Sequence, residues 1–407
     1  MATKTYPLLP VEEAAALILA HTTPLGTERV RASEAYGRVL AQELRAPLPM
    51  PPFPASTVDG YAVLSSDTSP RRRVLAVITA GRPVDTPVVA GTAVRIMTGG
   101  PLPPGADAVI MQEYTRLEDG TVVLERAVRP GENVNPRGAD IAEGQVVLTP
   151  GTALGPAELG LLASLGITEV EVYRRPRVAV LSTGDEIVEP DQEVPYGAIR
   201  DSNRPSLLAA VREAGGEPLS LGIARDDEAV QRRLIREGLE RADVLITSGG
   251  VSVGTRDLIK PLLEEIGTVY IGQVALKPGK PLTFARVGER LAFGLPGNPV
   301  SSLVSFEVFV RPALRKLQGH ARLHRPTVEV LLEHDARKTP DRTEYQRAIV
   351  TYHPDGTLRA RTTGSQASSR LLSMVGANAL LHIPPGQGVL PAGTRTRALL
   401  IGELLTA

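Results

Sequence analysis

The stretch DVLITSGGVSVG, residues 243–254, predicts a buried strand that runs directly into a glycine-rich loop. Two further stretches repeat this pattern, RVAVLSTGDE at 177–186 and LAFGLPGNP at 291–299. Stretches with helical periodicity alternate with these strands, at 206–216, 228–242, 256–267 and 300–317. Strands that alternate with helices in this way predict a three-layer α/β domain, with a parallel-type sheet and helices on both faces, over 177–322.

The segments on either side of this domain differ in composition. Residues 10–21 predict a helix, whereas five prolines between Pro47 and Pro54 exclude both helix and central strand. Short β-type runs continue to about residue 145, helical spacing returns at 156–165, and only short strands follow Pro326. We therefore expect a multidomain α/β plus β chain: an elongated helical linker domain (1–44 with 146–176) whose two helices pack together, an inserted mostly-β domain (45–145), the α/β domain (177–322) and a C-terminal small β-barrel or sandwich (323–407).

Composition narrows the function classes. The 407 residues carry 45 basic and 45 acidic side chains and no cysteine, which excludes a disulfide scaffold, a zinc finger, an iron–sulfur cluster and a thiol nucleophile. A formal net charge of zero and the absence of tryptophan argue against nucleic acid as a partner. The apolar run 14–20 is short and follows two glutamates, and no apolar stretch approaches the ~20 residues that span a bilayer. We expect a cytoplasmic protein with no membrane partner.

Three loops rich in glycine follow predicted strands. Ligands of open parallel sheets bind at the carboxyl edge, and glycine lets backbone N–H groups approach phosphate oxygens. Glycine also follows strands simply to form turns, but three such loops at one edge favour an anion site, and a nucleotide in particular. The candidate binding residues are Ser182, Thr183, Gly184, Ser248, Gly249, Gly250, Ser252, Gly254, Pro296, Gly297, Asn298 and Pro299.

Other readings of these loops are weaker. The sequence GVSVG at 250–254 matches a nucleophile elbow, but the strand is predicted to end near Thr247, and the downstream histidines fall in the β tail. Gly279 and Lys280 are followed by proline rather than serine or threonine, so no P-loop is present. The sequence also has no G-x-G-x-x-G motif that opens a helix.

Charged residues near these loops indicate oxyanion and metal chemistry. Lys277 and Lys280 are two of only six lysines, against 39 arginines, and prolines stiffen their segment. This favours compact charges that face an oxyanion over a solvated pair. Carboxylates in turn contexts are either caps or the oxygen ligands that Mg²⁺ takes beside phosphates. They are Asp59, Asp140, Glu186, Asp226, Asp227 and Asp257, whereas Asp185 is expected to be a turn residue.

Six ordered motifs resemble those of the MoeA-type molybdopterin molybdenumtransferases, which are related to the C-terminal domain of gephyrin. The motifs are PPFPASTVDGYA (51–62), RIMTGGPLPPGADAVI (95–110), VAVLSTGDE (178–186), TSGGVSVGTRD (247–257), ALKPGKP (275–281) and GLPGNPVSS (294–302). The SGG loop alone would also fit the smaller molybdopterin adenylyltransferase of the same pathway. That relative lacks the proline-rich inserted domain and the β tail, so the resemblance favours the larger enzyme.

The resemblance implies molybdenum cofactor biosynthesis. Molybdate is inserted into adenylylated molybdopterin, the pyrophosphate is cleaved with Mg²⁺, and AMP and molybdenum cofactor are released. Asp226 and Asp257 are assigned to magnesium and the pyrophosphate, and Glu186 to magnesium or water activation. Asp59, Lys277 and Lys280 are further catalytic candidates. Substrate contacts are assigned by resemblance to Thr98, Asp140, Arg347 and Ser368, with Pro296 and Pro299 on the molybdate side.

The resemblance also implies a homodimer in which the inserted domain of one subunit faces the α/β domain of its partner. Asp59 and Thr98 would then act across the interface, and the adenylyltransferase of the pathway is a further candidate partner. Two departures, Ala139 and Thr255, each remove an acid that is frequent in the family. The alternatives are a paralogue that uses tungstate and a non-catalytic scaffold that binds molybdopterin. A scaffold would not require Asp257 or the two lysines.

Overall fold

The computed structural model describes residues 6–78, 81, 85–250 and 258–406. The α-helices are α1 (Val11–Ala20), α2 (Pro156–Ser164), α3 (Asn203–Glu213), α4 (Glu228–Arg241), α5 (Ile259–Ile266), α6 (Pro299–Ser305) and α7 (Arg311–Leu317). A π-helical turn over Phe306–Val310 joins the last two, and 3₁₀ turns occur at Ala32–Glu34, Gln112–Tyr114 and Leu371–Ser373. None of the helices described is both long and apolar enough to cross a lipid bilayer.

The strands account for most of the regular structure. In chain order they are β1 (Thr27–Arg31), β2 (Leu44–Arg45), β3 (Ala55–Ser56), β4 (Gly60–Val63), β5 (Arg71–Ile78), β6 (Thr92–Ile96), β7 (Ala108–Met111), β8 (Thr115–Glu118), β9 (Thr121–Leu124), β10 (Val134–Asn135), β11 (Val146–Leu148), β12 (Glu169–Tyr173), β13 (Arg177–Thr183), β14 (Ile187–Val188), β15 (Ile199–Arg200), β16 (Glu217–Ala224), β17 (Val244–Ser248), β18 (Thr268–Gln273), β19 (Leu276–Lys277), β20 (Pro281–Val287), β21 (Arg290–Leu295), β22 (Thr327–Leu332), β23 (Ala336–Arg337), β24 (Thr343–Tyr352), β25 (Leu358–Thr362), β26 (Ala379–Ile383), β27 (Val389–Leu390), β28 (Arg395–Leu400) and β29 (Leu405–Thr406).

The central sheet has the order β16-β13-β17-β21-β20-β18. Its first four strands are parallel, which confirms the predicted α/β sheet. β20 pairs antiparallel with both β21 and β18, and this antiparallel pairing was not predicted. A two-residue hairpin at Gly288 and Glu289 joins β20 to β21, and Gly288 adopts φ +56°. This left-handed conformation is typical of tight hairpin turns that begin with glycine.

Helices cover both faces of this sheet, as predicted. Along β13, Val178 and Val180 belong to one hydrophobic cluster, with residues of α3, α6 and α7. The intervening Ala179 and Leu181 belong to a second cluster, with residues of α4 and α5. Because successive side chains of a strand point to opposite faces, this division places one core on each side of the sheet.

The two helices outside the α/β sheet do not pack together, so that expectation was wrong. Ile18 of α1 is fully buried in the cluster that contains Phe284 and Phe309. Leu162 of α2 is buried in a separate cluster with Leu40 and Val172. The apolar stripe of α1 covers the α/β core, and the linker strands are joined by β1–β12 and β2–β11 pairing.

The remaining regions are β-structures, as predicted. The inserted region forms a six-stranded sheet in the order β7-β4-β6-β5-β9-β8. Near the C-terminus, strands β24-β25-β22-β28-β26 close into a five-stranded barrel because β24 also pairs with β26. Its interior is filled by small and branched residues such as Ala348, Val350 and Leu381. The barrel is tied to the α/β domain by parallel pairing of β19 with β24.

At the amino edge of the parallel strands, Asp243 joins the linker to the sheet. Its carboxylate accepts hydrogen bonds from Arg174 (3.0 Å for each nitrogen), Arg290 (3.2 Å) and the backbone N–H of Arg177 (2.8 Å). Burial raises the pKa of Asp243, but the hydrogen bonds and the two arginine charges outweigh burial and hold that pKa below its usual value.

We expect Asp243→Asn to lower the free energy of unfolding by roughly 1–3 kcal/mol, the usual cost of leaving buried groups unsatisfied. A depressed folded-state pKa stabilises the fold above the unfolded pKa of about 4, and that stability is lost as the pH falls further. The difference in melting temperature between the wild type and the variant should therefore be largest at neutral pH and shrink below about pH 4. A difference independent of pH would contradict this account.

Alanine substitutions at two loop glycines, Gly249 and Gly297, test how closely the loops pack at the carboxyl edge of the sheet. Gly249 has φ +94°, and a Cβ there would lie 2.6 Å from the carbonyl oxygen of Thr183. At Gly297 a Cβ would meet only the Cα of Gly249, at 3.7 Å. We expect Gly249→Ala to destabilise the fold by roughly 1–3 kcal/mol, and Gly297→Ala by less than about 0.5 kcal/mol. Equal melting temperatures for the two variants would contradict the loop geometry.

Candidate functional site

A cleft of about 1060 Å³ lies at the carboxyl edge of the parallel strands and extends to the barrel. The register of the sheet places Ser182 opposite Ser248, and Ser248 opposite Leu295, so the loops that follow begin side by side. The structure thereby brings together most of the predicted site residues. The cleft is lined by Ser182, Thr183, Gly184, Glu186, Asp226, Ser248, Gly249, Gly250, Lys277, Lys280, Pro296, Gly297, Asn298, Pro299 and Ser368.

Residues at the start of α3 tie these loops together, and they were not predicted from the sequence. The side-chain amide of Asn203 donates to the Ser248 hydroxyl and to the Gly297 carbonyl, each at 2.7 Å. Buried Asp201 accepts from the Ser182 hydroxyl at 2.9 Å and from Arg204. The available signal was the sequence Asp-Ser-Asn immediately before a helical stretch, a composition typical of helix starts.

Two of the predicted metal ligands face the cleft. Glu186 and Asp226 both line it, and no cation pairs with either carboxylate among the described residues. Gln231 donates to Asp226 at 3.4 Å, while the backbone N–H of Asp226 donates to Asp185 at 3.0 Å. Asp185 therefore holds the turn, as expected from its context.

Three of the predicted site residues belong to the later part of the glycine-rich segment after β17. Ser252, Gly254 and Asp257 lie outside the described residues. Within the part of the chain that the structure describes, no group of three or more acidic or histidine side chains is arranged to hold a metal ion.

Positively charged side chains also line the cleft. Lys277, Lys280, Arg200 and Arg342 line it. The ammonium of Lys277 lies 3.2 Å from the carboxylate of Glu344, a residue that the sequence reading did not single out. The cleft thus combines exposed backbone at three loops, two carboxylates and several cations, a combination suited to a ligand with several negative oxygens.

Three predicted residues lie in the inserted domain and not in this cleft. Asp59 accepts from the backbone N–H of Thr98 at 2.7 Å and from its hydroxyl at 2.8 Å. These two bonds, followed by the charge of Arg95, lower the pKa of Asp59 despite some desolvation, so it is ionised at neutral pH. Asp140 is exposed, and its backbone N–H donates to the carbonyl of Met50 in the proline-rich segment.

Arg347 and Ser368, the two β-tail candidates, occupy different positions. Ser368 lines the cleft, and its carbonyl accepts from the N–H of Val300 at the start of α6. Arg347 does not line the cleft; it is fully buried in the barrel, and burial lowers its pKa to about 10. Its guanidinium donates to Ser373 (3.0 Å) and to the carbonyl of Ala367 (3.1 Å), and thereby holds the loop that carries Ser368.

Comparisons with known proteins cover nearly the whole chain. Residues 9–166 match the MoeA N-terminal region (domains I and II). Residues 179–316 match a probable molybdopterin binding domain, the part that carries the three loops. Residues 329–401 match the MoeA C-terminal region (domain IV), which contains the barrel.

Individual relatives agree with these matches. The molybdopterin molybdenumtransferase of Haemophilus influenzae is 38% identical over 91% of this chain and 93% of its own length. That of Bacillus subtilis is 35% identical over 97% and 94%. Gephyrin of Dictyostelium discoideum is 37% identical over 98% of this chain, which spans only 63% of gephyrin.

A solved structure shares the complete fold. The molybdopterin biosynthesis MoeA protein from Pyrococcus horikosii superposes with a TM-score of 0.83 at 32% identity, covering 98% of this chain and 100% of that one. The fold, the order of the matched regions and the sequence identity over most of the chain therefore all indicate the same family. The chain belongs to the MoeA family, as a transferase of molybdenum cofactor biosynthesis.

Proposed function

We propose that the cleft binds adenylylated molybdopterin together with molybdate, cleaves the pyrophosphate and releases AMP and molybdenum cofactor. The observation that carries this proposal is that three glycine loops, two carboxylates and two lysines line one cleft. Curated relatives with the same domains are named molybdopterin molybdenumtransferases, which supports the choice of substrates.

The loops suit the phosphate groups of such a substrate. Gly184, Gly249 and Gly297 line the cleft without a side chain, so phosphate oxygens can approach the backbone of the loops closely. Asn203 and Asp201 brace these loops through Ser248, Gly297 and Ser182, so the binding surface is formed before the ligand arrives. A surface organised in advance loses little conformational freedom on binding.

The lysines suit the molybdate end of the reaction. Lys277 and Lys280 come from one short segment and line the same cleft as Pro296 and Pro299. Molybdate is a doubly charged oxyanion and the substrate that carries the metal. Two ammonium groups at this position attract it and keep it close to the pterin-bound phosphates, where the reaction requires both ligands.

Glu186 and Asp226 fit a magnesium ion. Their carboxylates face the cleft without a cation partner among the described residues, and hard oxygen ligands are those that Mg²⁺ prefers. Asp257 would complete the set. The bound ion would neutralise charge on the pyrophosphate. Glu186 could instead accept a proton from water, which is its alternative role.

The chemistry needs no protein nucleophile. Cleavage breaks one P–O bond of the pyrophosphate, an oxygen of water or molybdate forms the new P–O bond, and AMP leaves with the electron pair of the broken bond. The side chains contribute positions and charges that favour this transfer. Cleavage that depends on molybdate would couple loss of AMP to metal insertion.

We expect the purified protein to release AMP from adenylylated molybdopterin with Mg²⁺ only when molybdate is present. Replacing both Lys277 and Lys280 by alanine should raise the molybdate KM roughly 10- to 100-fold, because hydrogen bonds between charged groups contribute about 1.5–3 kcal/mol. Lys260→Ala on α5, outside the cleft lining, is the matched control and should not change it.

Other outcomes of this assay distinguish the alternatives. Release driven better by tungstate than by molybdate would indicate the tungstate paralogue. Tight binding of the adenylylated pterin without release would indicate a scaffold. Absence of binding would overturn the proposal.

We further propose that the enzyme is a homodimer in which Asp59 and Thr98 complete the partner's cleft. Within one chain Asp59 lies just before β4 and Thr98 just after β6 of the inserted sheet, and neither lines the cleft. Thr98 is exposed, and Asp59 is held ionised beside it, so the pair presents a polar surface that an adjoining subunit can use.

Mixing two inactive variants tests this arrangement. Asp59→Asn and Asp226→Asn place their lesions in different subunits of a shared site. A 1:1 mixed population should therefore recover about a quarter of wild-type AMP release, because half of the dimers are hybrids and each hybrid has one intact site. Activity no higher than that of the separate variants, in a mixture shown to contain hybrids, would contradict the shared site.

A further inference from the structure

We propose that Glu344 and Thr339, two barrel residues outside the cleft lining, position the ammonium of Lys277 in the cleft. The barrel would thereby contribute to oxyanion binding through a residue of the α/β domain. The identity of the oxyanion as molybdate rests on the proposed function. The positioning of Lys277 is a separate claim that can be tested without any substrate.

Backbone pairing brings the two domains into register at this point. Strands β19 and β24 pair in parallel, with Leu276 opposite Thr343 and Lys277 opposite Glu344. The backbone N–H of Thr343 also donates to the carbonyl of Ala275 at 3.0 Å. The position of Lys277 along the cleft is therefore set by the barrel as well as by its own domain.

The side chains then form a closed set of contacts. The ammonium of Lys277 donates to the Thr339 hydroxyl at 3.1 Å and lies 3.2 Å from Oε2 of Glu344. The Thr339 hydroxyl in turn donates to the same oxygen of Glu344, at 3.0 Å. Three mutual contacts fix the nitrogen more firmly than a single ion pair, which leaves a long side chain largely free.

Because the carboxylate of Glu344 is buried, its pairing with a cation is energetically important. The side chain of Glu344 is only 4% exposed, whereas that of Lys277 is 41% exposed, so one side of the lysine meets the carboxylate and the other is open to the cleft. A buried carboxylate without a cation is strongly unfavourable. Arg347 adds a second, more distant attraction to Glu344 inside the barrel. Glu344 therefore holds Lys277 at the cleft wall.

The second lysine of the segment provides an internal contrast. Lys280 is exposed, and its ammonium makes no hydrogen bond or ion pair within the described part of the chain. The two lysines thus differ in kind, because Lys277 is a fixed charge and Lys280 is a mobile one. This difference predicts different chemical reactivity for two amines only three residues apart.

Lysine labelling tests the positioning directly. The full chain is reductively methylated without ligand, and the rate at each lysine is followed by mass spectrometry. In the wild type we expect Lys277 to react roughly tenfold more slowly than Lys280, which corresponds to ~1.4 kcal/mol of protection. Glu344→Gln and Thr339→Val should remove most of this difference, while Thr339→Ser, which keeps the hydroxyl, should preserve it. Equal rates in the wild type would overturn the proposal.

A double-mutant cycle tests the functional consequence. Glu344→Gln should raise the molybdate KM about tenfold, through lost orientation of Lys277, with little change in the affinity for adenylylated molybdopterin. In a Lys277→Ala background it should have no further effect, whereas in a Lys280→Ala background its effect should persist. Equal effects in both backgrounds would overturn the positioning role.

The two experiments also separate this inference from the proposed function. Slow labelling of Lys277 that Glu344→Gln abolishes, in a protein that shows no response to molybdate, would support the positioning and reject the substrate. Normal dependence on molybdate, with equal labelling rates at Lys277 and Lys280, would support the substrate and reject the positioning. Unfolding of Glu344→Gln, detected by circular dichroism, would transfer the test to Thr339→Val and Thr339→Ser.

Discussion

The side-chain amide of Asn203 joins loops that follow two neighbouring strands, and the cleft depends on this connection. Parallel register brings the ends of β13, β17 and β21 side by side, but glycine loops have little intrinsic preference for one conformation. Asn203 fixes two of them by donating to Ser248 and Gly297, and Asp201 fixes the third through Ser182. The glycine loops, which a ligand can approach closely, are thus held in place by Asn203 and Asp201.

A second constraint comes from the pairing of β19 with β24. It joins the barrel to the α/β domain beside the lysine segment, so residues of both domains line the cleft. Arg347 and Glu344 are both buried in this barrel, and each contacts a residue beside or in the cleft lining. Arg347 holds the loop that carries Ser368, and Glu344 holds Lys277. The barrel therefore shapes a site to which it contributes few lining residues.

Much of the α/β fold could be predicted, because strand and helix periodicity report burial over a few neighbouring residues. The predicted strand within 177–186 and the loops predicted at one sheet edge illustrate this. The contact of Lys277 with Glu344 could not be predicted, since it joins residues far apart in sequence and depends on how two domains meet. The packing of α1 was mispredicted for the same reason, because an apolar stripe does not indicate which core it covers.

The central claim is that one cleft binds the adenylylated pterin through the three loops. A crystal structure of the full-length protein with adenylylated molybdopterin tests it most directly. We predict phosphate oxygens within hydrogen-bond distance of the backbone at the loops that begin after Thr183, Ser248 and Leu295, with Asn203 still joined to Ser248. A ligand bound elsewhere, with these loops unoccupied, would contradict the account.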